Sequence, residues 1–345
     1  MASSLNVIKN ENELENLLTE PSPKLVDFMK ELDGDIMILG AGGKMGPYIA
    51  GMAIKAIERA GVSKKVYAVS RFTNKSIMDK LISWGIETIA ADLMDEAQLM
   101  SLPEVKNIIY AVGYKFGMKG KEPYVWALNT YLPGRVSEKF KNSRIVAISS
   151  GNVYPLVSIR TGGATEETEP EPVGEYAMTR LGGERIFQYF SIKYKIPMTI
   201  IRLNYAGELR YGVLVDIALA VYNRKPIDLR MGYVNTIWLG DACDIILRSF
   251  KLCSTPPYII NLTGPEIISV RWAAQEFGKL FGVEPIFVNE EEETALLNNA
   301  SKAMQIFGYP RVTVKQMIDW IAYWIKSGNR LYNKPTYYWV RNGRF

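Results

Sequence analysis

Short apolar runs recur along the chain, each followed by a longer stretch in which apolar residues return every three or four positions. Runs of the first kind read as buried strands, and stretches of the second as amphipathic helices. Strands are predicted at 36–39, 65–71, 87–92, 107–113, 144–150, 198–203 and 258–262, with helices at 44–60, 74–84, 122–141 and 176–194 between them. Alternation of this kind predicts an α/β fold, a doubly wound and mostly parallel Rossmann sheet.

The ends of the chain depart from that rhythm. Residues 5–33 are helical in pattern, with Leu14, Leu17 and Leu18 on one face and a break at Pro21 and Pro23. They read as an extension, 1–33, packed outside a dinucleotide-binding domain at 34–206, to which 235–262 returns. Beyond Gly207 come glycine- and arginine-rich connections, then helices at 269–281, with a Ser N-cap, at 295–307 and at 314–325. Segments 207–234 and 263–345 therefore form a smaller, mostly helical substrate lobe with a basic aromatic tail folded onto it. The acidic loop 160–175, hinged at Gly162 and Gly163, reads as a solvated cover and mobile lid over the cleft.

Composition narrows the chemistry. The 345 residues contain no histidine, which removes the commonest general base and the commonest transition-metal ligand. A Ser-His-Asp hydrolase and a zinc enzyme are both disfavoured, and no metal site is expected. Cys243 and Cys253 are the only cysteines and read as free, packed thiols of a reducing, cytoplasmic setting. The opening residues lack the pattern of a secretory signal, and no apolar run is long enough to span a membrane. The net charge of +5 comes partly from the tail, too little to indicate a nucleic-acid partner.

The first strand stops at glycines, in the stretch DIMILGAGGKMG of residues 35–46. Gly40, Gly43 and Gly46, with Lys44 and Met45 between them, are spaced to let main-chain amides at a helix N-terminus approach a pyrophosphate. Pro47 fits the first helical turn, where its missing N–H costs nothing. The second strand ends in Ser70-Arg71. A carboxylate there usually takes the ribose hydroxyls of NAD, whereas an arginine accommodates the 2′-phosphate of NADP. The pair leans towards NADP, with NAD as the alternative.

The glycine turn, Ala91-Asp92-Leu93, the SSGNVY run of residues 149–154, and Tyr176-Ala-Met-Thr-Arg180 followed by LGGER together resemble the extended short-chain dehydrogenases/reductases, the NAD-dependent epimerase/dehydratase family. The resemblance covers about 34–330 and implies hydride transfer at a hydroxyl or carbonyl of a sugar, sugar acid or polyol, with a nucleotide sugar as the alternative substrate. It implies Ser150 as the residue that orients the substrate oxygen and Tyr176 as the proton-transfer residue. It also places Asp92, Leu93, Ala111, Gly113 and Asn129 around the cofactor, and Lys115, Asn152, Tyr154, Asn204 and Arg210 around the substrate. Members often pair as homodimers, which is the expectation here.

One position departs from the family. Its Tyr-x-x-x-Lys motif ends here in Arg180. A tyrosine hydroxyl ionises near pH ~10 and needs a fixed cation to serve as a base near neutrality. Arg180 keeps the charge but cannot relay a proton. Electrostatics alone, a substitute acid or base among Glu175, Lys115 and Tyr154, or a dinucleotide-binding scaffold or sensor without turnover are the readings that follow. The lobe departs too, since Asn235 stands where many members have an arginine gripping a nucleotide pyrophosphate, leaving Arg210 or Arg230 as replacements.

Overall fold

The computed structural model describes residues 7–115 and 120–344. The opening residues, where a secretory signal was sought, lie outside the described residues. Seven strands form one parallel sheet: β1 (Ile36–Leu39), β2 (Val66–Ser70), β3 (Glu87–Ala90), β4 (Asn107–Tyr110), β5 (Arg144–Ser150), β6 (Met198–Leu203) and β7 (Tyr258–Leu262). Their order is β7-β6-β5-β4-β1-β2-β3, so all the predicted strands are present and the order reverses between β1 and β4. Such a reversal opens a crevice at the carboxyl ends of the strands, where ligands of this architecture bind. The register sharpens it. Leu39 lies beside Val69 and Tyr110, and Ser150 beside Leu203, so the strand ends that carry the glycines, the serines and Asn204 finish level with one another.

Helices cover both faces. On one lie α1 (Glu11–Leu18), α2 (Pro23–Glu31), α3 (Gly46–Ala60) and α4 (Lys75–Ser83). Leu14, Leu18, Leu25 and Met29 are completely buried, so the N-terminal segment is part of the core. Ser22 accepts from the Leu25 amide and Pro23 opens α2, which is why the chain breaks where the prolines stand. On the other face lie the short α5 (Glu96–Met100), α6 (Glu122–Trp126), α7 (Leu132–Lys139) and the long α8 (Glu175–Tyr194). The single helix expected at 122–141 is interrupted by a π-helical turn, Ala127–Tyr131. The Asn129 carbonyl there lies against Gly183 of α8, where any side chain would overlap it.

The lobe is built from α9 (Val213–Tyr222), α11 (Val270–Phe281), α12 (Ser301–Phe307) and α13 (Val314–Lys326), whereas α10 (Leu239–Arg248) packs on α3 and α2 on the first face. Ser269 caps α11 as expected, and Thr313 with Gln316 forms a capping box on α13. The helix expected at 295–307 is shorter, because Thr294–Ala295 pairs antiparallel with Val157–Ser158. The acidic loop is solvent-exposed at Glu167, Glu169 and Glu171 but anchored near its start. The Ala164 amide donates to Leu297, its carbonyl accepts from Asn299, Glu166 accepts from the Asn261 amide, and Ala164 is 1% exposed. These partners on the lobe and β7 fix the start of the loop, and the cleft's lining includes none of residues 160–175, so it is not a lid over the cleft. After α13, residues 329–344 run back over α9 towards the start of α8. Among the described residues no helix is long and apolar enough to cross a membrane. Both cysteines are free thiols.

Candidate active site

A cleft of about 410 Å³ opens at the reversal between β1 and β4. Gly40 has φ +90°, and a Cβ there would come within 2.9 Å of the Ala111 carbonyl. A Cβ on Gly46 would lie 2.5 Å from the Cα of Ala41. The crook is therefore closed to side chains, and its free surface is main chain at the N-terminus of α3. That arrangement fits a dinucleotide pyrophosphate.

Gly40, Gly43, Lys44, Met45 and Gly46 line the cleft, as do Ala111, Gly113, Lys115, Ser150, Asn152, Tyr176, Arg180 and Asn204. Tyr176 sits in the first turn of α8, after Gly174 at φ +84°. Ser150 ends β5; its Oγ accepts from the Asn152 amide at 3.2 Å and donates to the Asn152 carboxamide at 3.1 Å. Lys115 Nζ stands 5.5 Å from the centre of the Tyr176 ring and 6.0 Å from that of Tyr205. Burial, and then the neighbouring Lys44 charge, push Lys115 down to about 8. Lys44 Nζ lies 3.2 Å from the centre of the Tyr211 ring, and burial followed by the Lys334 charge brings it down to about 8 as well.

Arg180, one turn beyond Tyr176, is 7% exposed. It donates to the Val112 carbonyl at 3.0 Å and to the Ile148 carbonyl, so it ties the ends of β4 and β5 under the helix. A side chain on Gly113 would meet its Nη1 at 2.9 Å. The guanidinium thus has its charge in place but two of its donors committed to main chain.

Other expected residues lie elsewhere. Tyr154 does not face the cleft. Its buried hydroxyl donates to Asn261 at 2.9 Å and accepts from Arg202 at 2.8 Å, in a network where Glu184 holds Arg202 at 2.8 Å. Arg210 is not directed at a substrate either; it is buried against Glu208 and donates to the Tyr48 hydroxyl at 2.6 Å. Asn129 is 1% exposed and splints the loop after β4, bonding the Tyr114 amide and carbonyl and Thr179. Ser70, Arg71 and Asp92 stand outside the cleft, on the ends of β2 and β3. Arg71 lies 4.0 Å from Asp92 and donates to the Tyr124 hydroxyl, while Asp92 also accepts from the Met94 amide. Leu93 is buried in the core on that face. Glu175 accepts from Trp126 at the surface.

Several lining residues carry no signal in the sequence. Tyr205, Glu208 and Tyr211 follow β6, and Tyr332 and Thr336 come from the tail. Tyr205 is left-handed at φ +39°, an unfavourable conformation for a tyrosine that two hydrogen bonds to its carbonyl, from Ile237 and Thr236, hold in place.

Residues 36–213, more than half of the chain, match the model of the NAD dependent epimerase/dehydratase family. The chain belongs to that family. Fold and family make it an enzyme of the extended short-chain dehydrogenase/reductase type. Among solved structures it is similar to Pal from Bacillus thuringiensis, with a TM-score of 0.69 and 18% identity over 86% of this chain and 100% of that one. It resembles UDP-glucose 4-epimerase from Thermotoga maritima at a TM-score of 0.68 and 12% identity, over 85% and 99% of the two chains. A UDP-glucuronic acid 4-epimerase from Bacillus cereus, solved with a fluorinated UDP-glucuronic acid and NAD, matches at 0.69 and 18%, over 85% and 99%. No curated relative matches the chain in sequence.

Proposed function

We propose that this family member is a dinucleotide-dependent oxidoreductase or epimerase acting on a hydroxyl or carbonyl of a sugar-like molecule. The observation that carries the reading is convergence: the glycine crook, Ser150, Tyr176 and Lys115 open into one cleft at the sheet's reversal. The crook's amides and Lys44 would hold the pyrophosphate. When bound, the dinucleotide supplies the hydride donor or acceptor.

The chain's own groups handle the proton. The Ser150 hydroxyl, already turned by Asn152, orients the substrate oxygen, and Tyr176 gives or takes its proton. Arg180 contributes fixed charge and holds the strand ends, but cannot pass a proton on. Of the substitutes considered for the missing motif lysine, Tyr154 is sealed in the core and Glu175 is held by Trp126. Lys115 remains. It is beside Tyr176, and its depressed value puts it close to working pH, where a proton carrier is most effective.

NADP is the assigned cofactor, because Ser70 replaces an acid at the end of β2 and Arg71 stands beside it. Several of the similar structures hold NAD, so the choice is open to a direct titration. Tyr176→Phe is expected to lower turnover by roughly 10²–10⁴-fold while leaving dinucleotide affinity intact. Quenching titrations with NADPH and NADH, alongside absorbance assays on carbohydrate substrates, measure both. Undiminished turnover removes Tyr176 from the chemistry, and tighter binding of NADH returns the cofactor to NAD.

A further inference from the structure

The lobe side of the cleft is closed by the chain's own tail. Residues 329–344 leave α13, and the Tyr332 amide donates to the Arg210 carbonyl at 3.1 Å. The amide and hydroxyl of Thr336 both donate to Asp216 of α9, at 2.8 and 2.5 Å. Arg341 then reaches the Thr294 and Arg230 carbonyls at 2.7 and 2.9 Å and pairs with Glu292 at 2.9 Å. Thr336 and Tyr338 are 3% and 4% exposed, so the tail packs as an integral layer of the lobe.

This wall decides what shape of ligand fits. Tyr332 and Thr336 form part of the cleft's lining, and a separate groove over Asp228 and Arg230 lies on the tail's outer side, walled by Pro335 and Trp339. The inner cleft, about 410 Å³, falls at the low end of the range for one small ligand and has to take both the reacting end of a dinucleotide and the substrate.

The charges agree with the shape. A sugar linked to a nucleotide brings a diphosphate, which proteins grip with arginines or lysines. Among the described residues the lobe side of the cleft presents Tyr205, Glu208, Tyr211, Tyr332 and Thr336, and the cation that reaches them is Lys44, over the Tyr211 ring, which the dinucleotide pyrophosphate claims. Arg210 is buried on Glu208, Arg230 pairs with Asp228 beyond the tail, and Arg271 pairs with Glu291, while Arg330 and Lys334 line the adjoining groove beside the glycine crook. Beside the reacting tyrosine stands Lys115, its Nζ 5.5 Å from the ring centre of Tyr176 and 6.0 Å from that of Tyr205.

We propose that the cleft selects a small carbohydrate acid carrying one carboxylate, which pairs with Lys115, and that the tail excludes nucleotide-linked sugars. This rests on the function proposed above and names its substrate class.

Calorimetry on the NADP-loaded protein tests it. The probes are D-glucuronate, D-galacturonate, D-gluconate and D-galactonate, with glucose and galactose as neutral counterparts, and UDP and UDP-glucuronate. At least one acid is expected to bind tenfold or more tightly than either neutral sugar and to lose that margin in Lys115→Gln, while UDP and UDP-glucuronate give no saturable heat. Saturable UDP binding, a preference for UDP-glucuronate over glucuronate, or no binding by any of the four acids overturns the proposal. A chain ended after Gly328 is expected to admit UDP; should it fail to fold, Thr336→Ala combined with Arg341→Ala loosens the tail instead. If the loosened protein still excludes UDP, the tail is not what excludes it. None of these outcomes touches the dinucleotide titration, whose failure alone would remove the underlying function.

Discussion

Lys44 shows how far a single side chain is shaped by where the chain places it. Inside the crook it is partly stripped of water and faces Lys334, which together bring it down to about 8. An anion bound there restores the higher value, so above pH ~8 binding takes up a proton. Dinucleotide affinity is accordingly expected to be level below about pH 8 and to fall up to roughly tenfold per pH unit beyond it. Lys44→Arg, whose charge persists, should flatten the profile in fluorescence titrations from about pH 7 to 10. Identical profiles for the two proteins would remove Lys44 from the phosphate site.

Individual residues also differed in how plainly the sequence displayed them. Gly40, Gly43 and Gly46 stand out by their spacing and Ser150 and Tyr176 by the family motifs around them, and the structure brings all five to one cleft. Tyr154 does not. Its partner Asn261 is 107 positions distant, and only the assembled sheet brings the two together. Arg210 misled for a related reason. An arginine near a cleft looks available until Glu208 is seen beside it in the interior.

Among the elements, α8 repeats that lesson. A helix with charged residues at close intervals reads as one with a solvated face, yet Glu184 is 2% exposed and grips Arg202 of β6. The helix that carries Tyr176 is thereby fixed to the strand that leads into Asn204. Truncating one partner leaves a charge buried without its counterion. Glu184→Ala is expected to cost about 3–5 kcal/mol in urea unfolding. A loss below ~1 kcal/mol would mean that packing alone positions α8. The periodic elements themselves were legible, since burial on a sheet or along a helical stripe repeats in the sequence. The π-helical turn at Ala127–Tyr131 was not, because it answers to the close approach of Gly183 on a different helix.

Seen whole, the molecule is closed by a segment with no periodicity at all. Asp216, which anchors it through Thr336, is pushed up to about 6 by burial, against the opposing pull of those hydrogen bonds and of Lys44. An aspartate in the unfolded chain titrates near pH ~4, so the folded state binds this proton more firmly. The Asp216 contribution to stability therefore improves as pH falls from about 7 towards 4 and worsens as it rises through about 6. Asp216→Asn should abolish this slope, so that the variant gains on the wild type in melting temperature as pH rises from about 4 to about 6. Parallel curves for the two proteins would show that Asp216 keeps its ordinary acidity.

The tail ends against the loop that launches α8: a Cβ on either Gly174 or Gly343 would collide with the other strand of this contact. A chain extended beyond Gly343 leaves from beside Gly174, only two positions ahead of Tyr176. A purification handle or fluorescent partner attached there presses on the loop that launches the reacting phenol's own helix.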